Sequence, residues 1–434
     1  MRLYAPLVRR LQFTQEDHIR PTIQKDIFSV LFFNKITFSS LERLEWTPIF
    51  EHASIVHLLP SSLKAVVIGK LPDTIDRPPG VEAAVIDVFI GCLTSRCPNL
   101  RYLDLSEAQS PLSPTAFLAM LALQSVVEMA VKVPGQLVCD TLYLLGGRAS
   151  LRGLSIQVAS NDSIVLPDSP ITFEGLERLR ITMPLREMSR VLECIVCPSI
   201  KKIILDACRK TQANTARLIK AVVSSAGPQL SQLSIRASST PGVDTASLID
   251  ALRPFSRLEH LRLWIGHHFL LNDIQLAQAF ACWPLLQSIV LDDMLCQQRV
   301  APDQVMLTLD GIMAAATLCP NIFCMSLLVD ARNVPSVSTH QFVRGPEEDS
   351  LGFNPSHYSP IKNPDTVARY LRSCQVDMVL LNSDGGDSFL KKWQEVFQIK
   401  QLLDIAGGRY DELLAASPTG EISVGGLTVS RRRK

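Results

Sequence analysis

One pattern recurs along this chain at nearly constant distance: an apolar residue, two others, an apolar residue, one other, an apolar residue. The clearest copy sits in Cys97-Pro98-Asn99-Leu100-Arg101-Tyr102-Leu103-Asp104-Leu105. Others follow at Val126/Met129/Val131, Leu151/Leu154/Ile156, Leu176/Leu179/Ile181, Ile200/Ile203/Leu205, Leu230/Leu233/Ile235, Leu258/Leu261/Leu263, Leu286/Ile289/Leu291 and Ile322/Met325/Leu327. Any one triplet is easily met by chance; the spacing is not. Starts at 100, 126, 151, 176, 200, 230, 258 and 286 differ by 26, 25, 25, 24, 30, 28 and 28. Self-similarity at such a period is the mark of a stacked repeat, in which one supersecondary unit recurs along a continuous core.

The unit can be read from its own chemistry. Leu103 and Leu105 alternate with Tyr102, Asp104 and Ser106, as a half-buried strand requires. Several copies open with proline in one slot: Cys97-Pro98-Asn99, Cys197-Pro198-Ser199, Cys319-Pro320-Asn321, Gly227-Pro228 and Trp283-Pro284. Proline there ends a preceding helix and launches an extended segment. Between triplets the apolar period lengthens to about 3.6, predicting helices over 85–93, 213–223, 245–252, 274–280 and 305–315. The expected unit is strand, turn, helix and return loop. Three buried side chains cannot offset the ordering entropy of a whole repeat, so stacking is obligatory and the end units need caps.

This pattern resembles leucine-rich repeats. Weaker copies at Leu41/Leu44/Trp46, Leu63/Val66/Ile68 and Val376/Val379/Leu381 extend the likeness over roughly residues 4–381. The resemblance implies an α/β solenoid with parallel strands on the concave face and helices on the convex face. The family often places Asn or Cys three residues beyond the third apolar position. Here those positions hold Ala108, Ala159, Pro184, Cys208, Ser238, Gly266, Met294 and Asp330, and only Cys208 conforms, so an irregular array is expected. The opening Tyr4-Ala5-Pro6-Leu7-Val8-Arg9-Arg10-Leu11-Gln12-Phe13 reads as a repeat strand with Val8, Leu11 and Phe13 as its triplet. It resembles the segment after the F-box in fungal F-box proteins with leucine-rich repeats. That resemblance implies substrate recognition in a ubiquitin-ligase adaptor. No F-box-like helical module stands in these 434 residues, so the chain is expected to be a truncated or alternative form, or a member that lost the module.

The expected domains are a solenoid over 1–381, a helical cap over 382–416 and a disordered basic tail over 417–434. A long loop is expected over 332–364, where no period holds. In the cap, Trp393, Val396, Phe397 and Leu402 recur at helix spacing. The tail ends in Arg431-Arg432-Arg433-Lys434.

Composition narrows the function. Lysine plus arginine total 43 against 42 aspartate plus glutamate, a formal charge of +1, so no basic coat for nucleic acid is expected. The most apolar stretch, 116–133, is interrupted by Gln124, Glu128 and Lys132 and reads as a helix and a strand of a core, with no membrane role. Eleven cysteines spread over the chain, with no apolar signal core at its start, fit reduced thiols in the cytoplasm or nucleus. Cys194-Ile195-Val196-Cys197 lacks a second pair for zinc and reads as buried packing. His267-His268 reads as loop, and Gly146-Gly147-Arg148 as a turn. Asp384-Gly385-Gly386-Asp387 lacks the spacing of a calcium loop. No cofactor, metal or catalytic residue is expected, and the chain is not expected to be an enzyme.

The face that remains is the row of outward strand positions. It carries Arg178, Arg180, Lys202, Arg236 and Arg262 beside Trp264, with Asp292 further along. Arginine and tryptophan are the residue types most able to anchor an interface. The expectation is an interaction module that takes a protein partner, an acidic or phosphorylated segment, on this face. The other reading is a stand-alone repeat scaffold without a ligase link.

Overall fold

The structure, a computed structural model, describes residues 7–13, 37–46, 56, 59–69, 81–108, 113–159, 164–167, 169–207, 215–237, 245–265, 268–292, 301–334, 351–356, 359–378, 388–406, 421–424 and 427–430. The chain forms two compact units: Met1–Cys208 with Ser224–Gly227, and Arg209–Val223 with Pro228–Lys434.

In the first unit β1 (Arg10–Phe13), β2 (Arg43–Trp46) and β3 (Ala65–Ile68) precede α1 (Val81–Arg96) and β4 (Tyr102–Asp104). Then come α2 (Pro114–Leu121), β5 (Glu128–Pro134), α3 (Val138–Gly146), β6 (Gly153–Ala159) and β7 (Ile171–Thr172). β8 (Arg178–Met183), α4 (Leu185–Glu193), β9 (Ile195–Val196) and β10 (Lys202–Ala207) complete it. The main strands lie in the order β1-β2-β3-β4-β5-β6-β8-β10, each parallel to the next, while β7 and β9 pair separately.

The triplet makes this sheet by a short backbone device. Its first apolar residue closes a turn: the amides of Leu100, Leu151, Leu176 and Ile200 donate to the carbonyls of Cys97, Arg148, Phe173 and Cys197. The strand starts two residues later and reaches back to its predecessor, as when Arg101 and Tyr102 both donate to the Lys64 carbonyl. Register then aligns the middle apolar residues in one row, Leu11, Leu44, Val66, Leu103, Met129, Leu154, Leu179 and Ile203. From Leu44 onward that row is buried, and it is the spine of the unit. The cysteine slot also has a reason. Cys97 is buried, and its thiol contacts the Pro60 carbonyl of the previous turn at 3.5 Å.

The second unit repeats the scheme. α5 (Thr215–Ser225, with Ser224 and Ser225 counted in the first unit) precedes β11 (Gln232–Ala237). α6 (Thr245–Leu252), β12 (His260–Ile265), α7 (Asp273–Cys282), β13 (Ser288–Asp292), α8 (Leu309–Ala316) and β14 (Cys324–Leu327) follow. β15 (Leu351–Pro355), α9 (Pro364–Ser373), β16 (Val376–Met378), α10 (Ser388–Ala406), β17 (Glu421–Val424) and β18 (Leu427–Ser430) end the chain. β11 to β16 are parallel in sequence order, with Leu233, Leu261, Ile289, Met325, Phe353 and Met378 as the buried row. Helix starts are encoded locally. Asn272 and Gln275 form a reciprocal capping box on α7, and Asn363 caps α9 ahead of Pro364.

Strand and helix alternate as in a leucine-rich-repeat solenoid, with two departures from the sequence expectation. Residues 351–355 lie inside the stretch expected as loop, yet form β15. Leu351, Phe353 and Pro355 are buried and alternate with half-buried Gly352 and Asn354, a period too short to stand out between prolines. The tail expected to be disordered holds an antiparallel hairpin, with Val424 in register with Leu427. Ile422, Val424, Leu427 and Val429 alternate around Gly425-Gly426, a pairing signal for a two-residue turn. Residues 407–416 of the expected helical cap, Asp384–Asp387, His267 and the terminal basic run lie outside the described residues.

Candidate functional site

Parallel register sorts the outward side chains into rows. In the first unit one row reads Tyr102, Glu128, Gly153, Arg178, Lys202, and the next Asp104, Ala130, Ser155, Arg180, Ile204. Small residues on β6 leave a low floor between taller neighbours. A hollow of about 170 Å³ opens there, walled by Tyr102, Glu128, Arg178, Arg180 and Lys202. Gly153 shapes it. β5 and β8 flank β6 at about 10 Å from each other, two strand spacings. The Glu128 carboxylate nevertheless crosses over Gly153 to meet Arg178, with Nη2 to Oε1 at 2.6 Å. A Cβ on Gly153 would stand 3.1 Å from Glu128 Cγ, so the glycine leaves the crossing open.

Arg180 is engaged as well. Its Nε and Nη2 donate to Asp206 Oδ2 at 3.2 and 2.9 Å. Lys202 differs: among the described residues no ion pair or hydrogen bond holds its ammonium. At the far wall the Tyr102 phenol donates to Asp104 at 3.2 Å, under an Arg43 guanidinium 5.7 Å from the ring centre. Burial first, and the Asp104 carboxylate next, push that phenol up to about 12, so it stays protonated.

The second unit carries the other expected residues. Arg236 lies opposite Trp264, and Trp264 opposite the backbone of Asp292. Arg262 sits two residues before Trp264, between Ser234 and Val290. Both arginines are exposed, and among the described residues neither has an ion pair or hydrogen bond. Trp264 is half-buried, whereas Trp46, Trp283 and Trp393 are buried. Below them His260 Nδ1 and Ser288 Oγ lie 2.9 Å apart. Arg178, Arg180 and Lys202 thus gather round one hollow in the first unit; Arg236, Arg262 and Trp264 form a basic and aromatic group within the second.

Glu128 and Gly153 were not among the expected site residues. Their signal was available in aligned triplets, where Glu128, Gly153 and Arg178 occupy equivalent positions two residues after the first apolar one.

The cysteine pair has a packing environment. Burial pushes the Cys197 thiol up to about 12, the opposite of a reactive thiolate, and raises Cys194 too. Among the described residues no group of three or more His, Cys, Asp or Glu is placed to hold a metal ion. No described helix is long and apolar enough to cross a membrane.

No protein-family model matches the chain, and no curated protein matches it. Solved structures offer distant likenesses. The yeast complex of Rad7 and Elc1 contains a chain 12% identical, with a TM-score of 0.32, over 67% of this chain and 88% of that one. A protein of Bacteroides fragilis is 11% identical with a TM-score of 0.28, over 76% of this chain and 70% of that one.

Proposed function

We propose that this chain is a protein-interaction module whose outward strand positions bind a partner, and that it is not an enzyme. The observation that carries the reading is the state of Arg236 and Arg262: two exposed guanidinium groups, without an ion pair or hydrogen bond among the described residues, beside a half-buried Trp264. Exposed charges that merely keep a surface soluble need no aromatic neighbour, whereas arginine with tryptophan supplies bidentate and stacking contacts together. The partner is an acidic or phosphorylated protein segment, since a cationic surface left without counter-charges favours an anion. The thiols fit a reducing cytoplasmic or nuclear setting.

The finer reading is substrate recognition for a ubiquitin ligase. It rests on the likeness of the repeats and of the Tyr4–Phe13 opening to F-box proteins with leucine-rich repeats. The stand-alone scaffold is the other reading, separated by whether the chain, expressed with its own upstream reading frame, co-purifies with a ubiquitin-ligase adaptor subunit.

The module itself is tested by replacing Arg236 and Arg262 with alanine and measuring partner capture against salt. We expect the pair of changes to weaken capture by about tenfold and to flatten its salt dependence. Unchanged capture at every ionic strength would remove the basis of the proposal.

A further inference from the structure

The hollow over Gly153 has a charge pattern that names its occupant. Its walls carry three cations, Arg178, Arg180 and Lys202, and one anion, Glu128. Asp206 neutralises Arg180 and Glu128 neutralises Arg178, which leaves Lys202 with no counter-charge among the described residues. Among the lining residues and their ion-pair partners the balance is a single positive charge; the Asp104 carboxylate, behind Tyr102 and outside the lining, is held by the Tyr102 phenol and by Ser106. A dianion would overfill it and a neutral group would leave it unmet. At about 170 Å³ the hollow has room for one side chain.

The Glu128–Arg178 pair is also built to exchange. Its side chains are 33% and 53% exposed, a setting in which ion pairs contribute little net stability. Glu128 reaches Arg178 across the glycine that β6 presents between them, where a Cβ would crowd Glu128 Cγ. An incoming carboxylate on Lys202 would lie within reach of the same guanidinium and compete with Glu128 for it.

We infer that the hollow over Gly153 seats one Asp or Glu side chain of the bound protein segment, anchored by Lys202, and that Glu128 is a built-in competitor for Arg178 that sets how tightly the segment is held. This rests on protein binding being the role of the strand face. It assigns Glu128 a function opposite in sign to that of an ordinary site residue, because removing its charge strengthens binding.

The test uses the full chain and three fluorescently labelled degenerate peptide libraries, alike except for a central Glu, Gln or phosphoserine, read by polarisation. The Glu library should bind, and the Gln library about tenfold more weakly, the loss of one charged contact. Lys202→Met should cost a similar factor with the Glu library, and Lys202→Arg should restore most of it. Glu128→Gln should tighten the Glu library several-fold while urea midpoints stay level. Weaker or unchanged binding by Glu128→Gln overturns the competitor role. A phosphoserine library that outbinds the Glu library overturns the carboxylate assignment. If Arg262→Ala abolishes library binding and Lys202→Met does not, the seat fails and the protein-binding reading stands. If no library binds the unaltered chain, both fail together.

Discussion

Single residues carry more of this architecture than their types suggest. Arg148, just past the end of α3, sends its guanidinium to the carbonyls of Leu121 and Leu123 and so caps the end of α2 in the repeat before it. Burial holds its pKa below the ordinary arginine value. Asp273 does similar work in the second unit. Its carboxylate accepts from the Thr308 amide at 2.8 Å and the Thr308 hydroxyl at 2.9 Å, and that hydroxyl in turn accepts from Gly311 at 2.9 Å. A Cβ on Gly311 would land on the Asp273 carboxylate. Gly311→Ala is therefore expected to destabilise the chain by about 2 kcal/mol, despite alanine's better helix propensity, because it breaks a half-buried cap network. The urea midpoint of the variant checks this, and an unchanged or higher midpoint would show that the network relaxes freely.

At the scale of elements, α10 lies within the stretch expected as a helical cap, and its contacts show how it is held. Trp393 is buried, donates from Nε1 to the Ser359 carbonyl at 3.0 Å, and meets Phe353 of β15 edge-on at 6.3 Å between ring centres. Lys400, with its side chain 8% exposed, joins Asp377 of β16 at 3.1 Å and Asp404 one turn on at 2.8 Å. A lysine so enclosed persists only with both carboxylates beside it. Trp393→Ala should cost about 3–5 kcal/mol, the range for emptying a large aromatic site, and is read as a fall in the denaturation midpoint. Preserved stability would mean that α10 is not what covers β15 and β16. The aromatic periodicity made this helix legible in advance. β15 was not legible, because alternation over five residues between prolines gives too few positions to distinguish a strand from a loop.

Over the whole molecule, repetition makes one chemical property add up. Burial raises the thiols of Cys97, Cys197 and Cys319 from the ordinary value of 9.0 to about 11, 12 and 12, and the Tyr102 phenol from 10.0 to about 12. A group whose pKa is higher folded than unfolded favours the folded state fully below its unfolded value, and loses that contribution as pH rises towards the folded value. Stability should accordingly hold up to about pH 9 and fall between about pH 9 and 12, with thiol reagents blocked until unfolding. A flat urea midpoint across that window, or rapid labelling of native Cys197 at about pH 9, would contradict the packing of this repeated slot.

Apart from β15 and the C-terminal hairpin, the order and spacing of the repeat strands and their helices were readable in one dimension. Their causes are local: a four-residue backbone turn, with proline inside it in several copies, period-two alternation, and caps such as Ser113 on α2 and Asn363 on α9. The outward positions of Arg178, Arg180, Lys202, Arg236, Arg262 and Trp264 followed from the same alternation. Which of those cations are available did not. Arg178 meets Glu128 fifty residues away in sequence, and Arg180 meets Asp206 on the neighbouring strand, while Lys202, Arg236 and Arg262 have no ion pair or hydrogen bond among the described residues. Periodicity repeats at every strand, but a charge is neutralised by whatever stands within a few ångströms in space, and that depends on register across strands and on a missing side chain at Gly153.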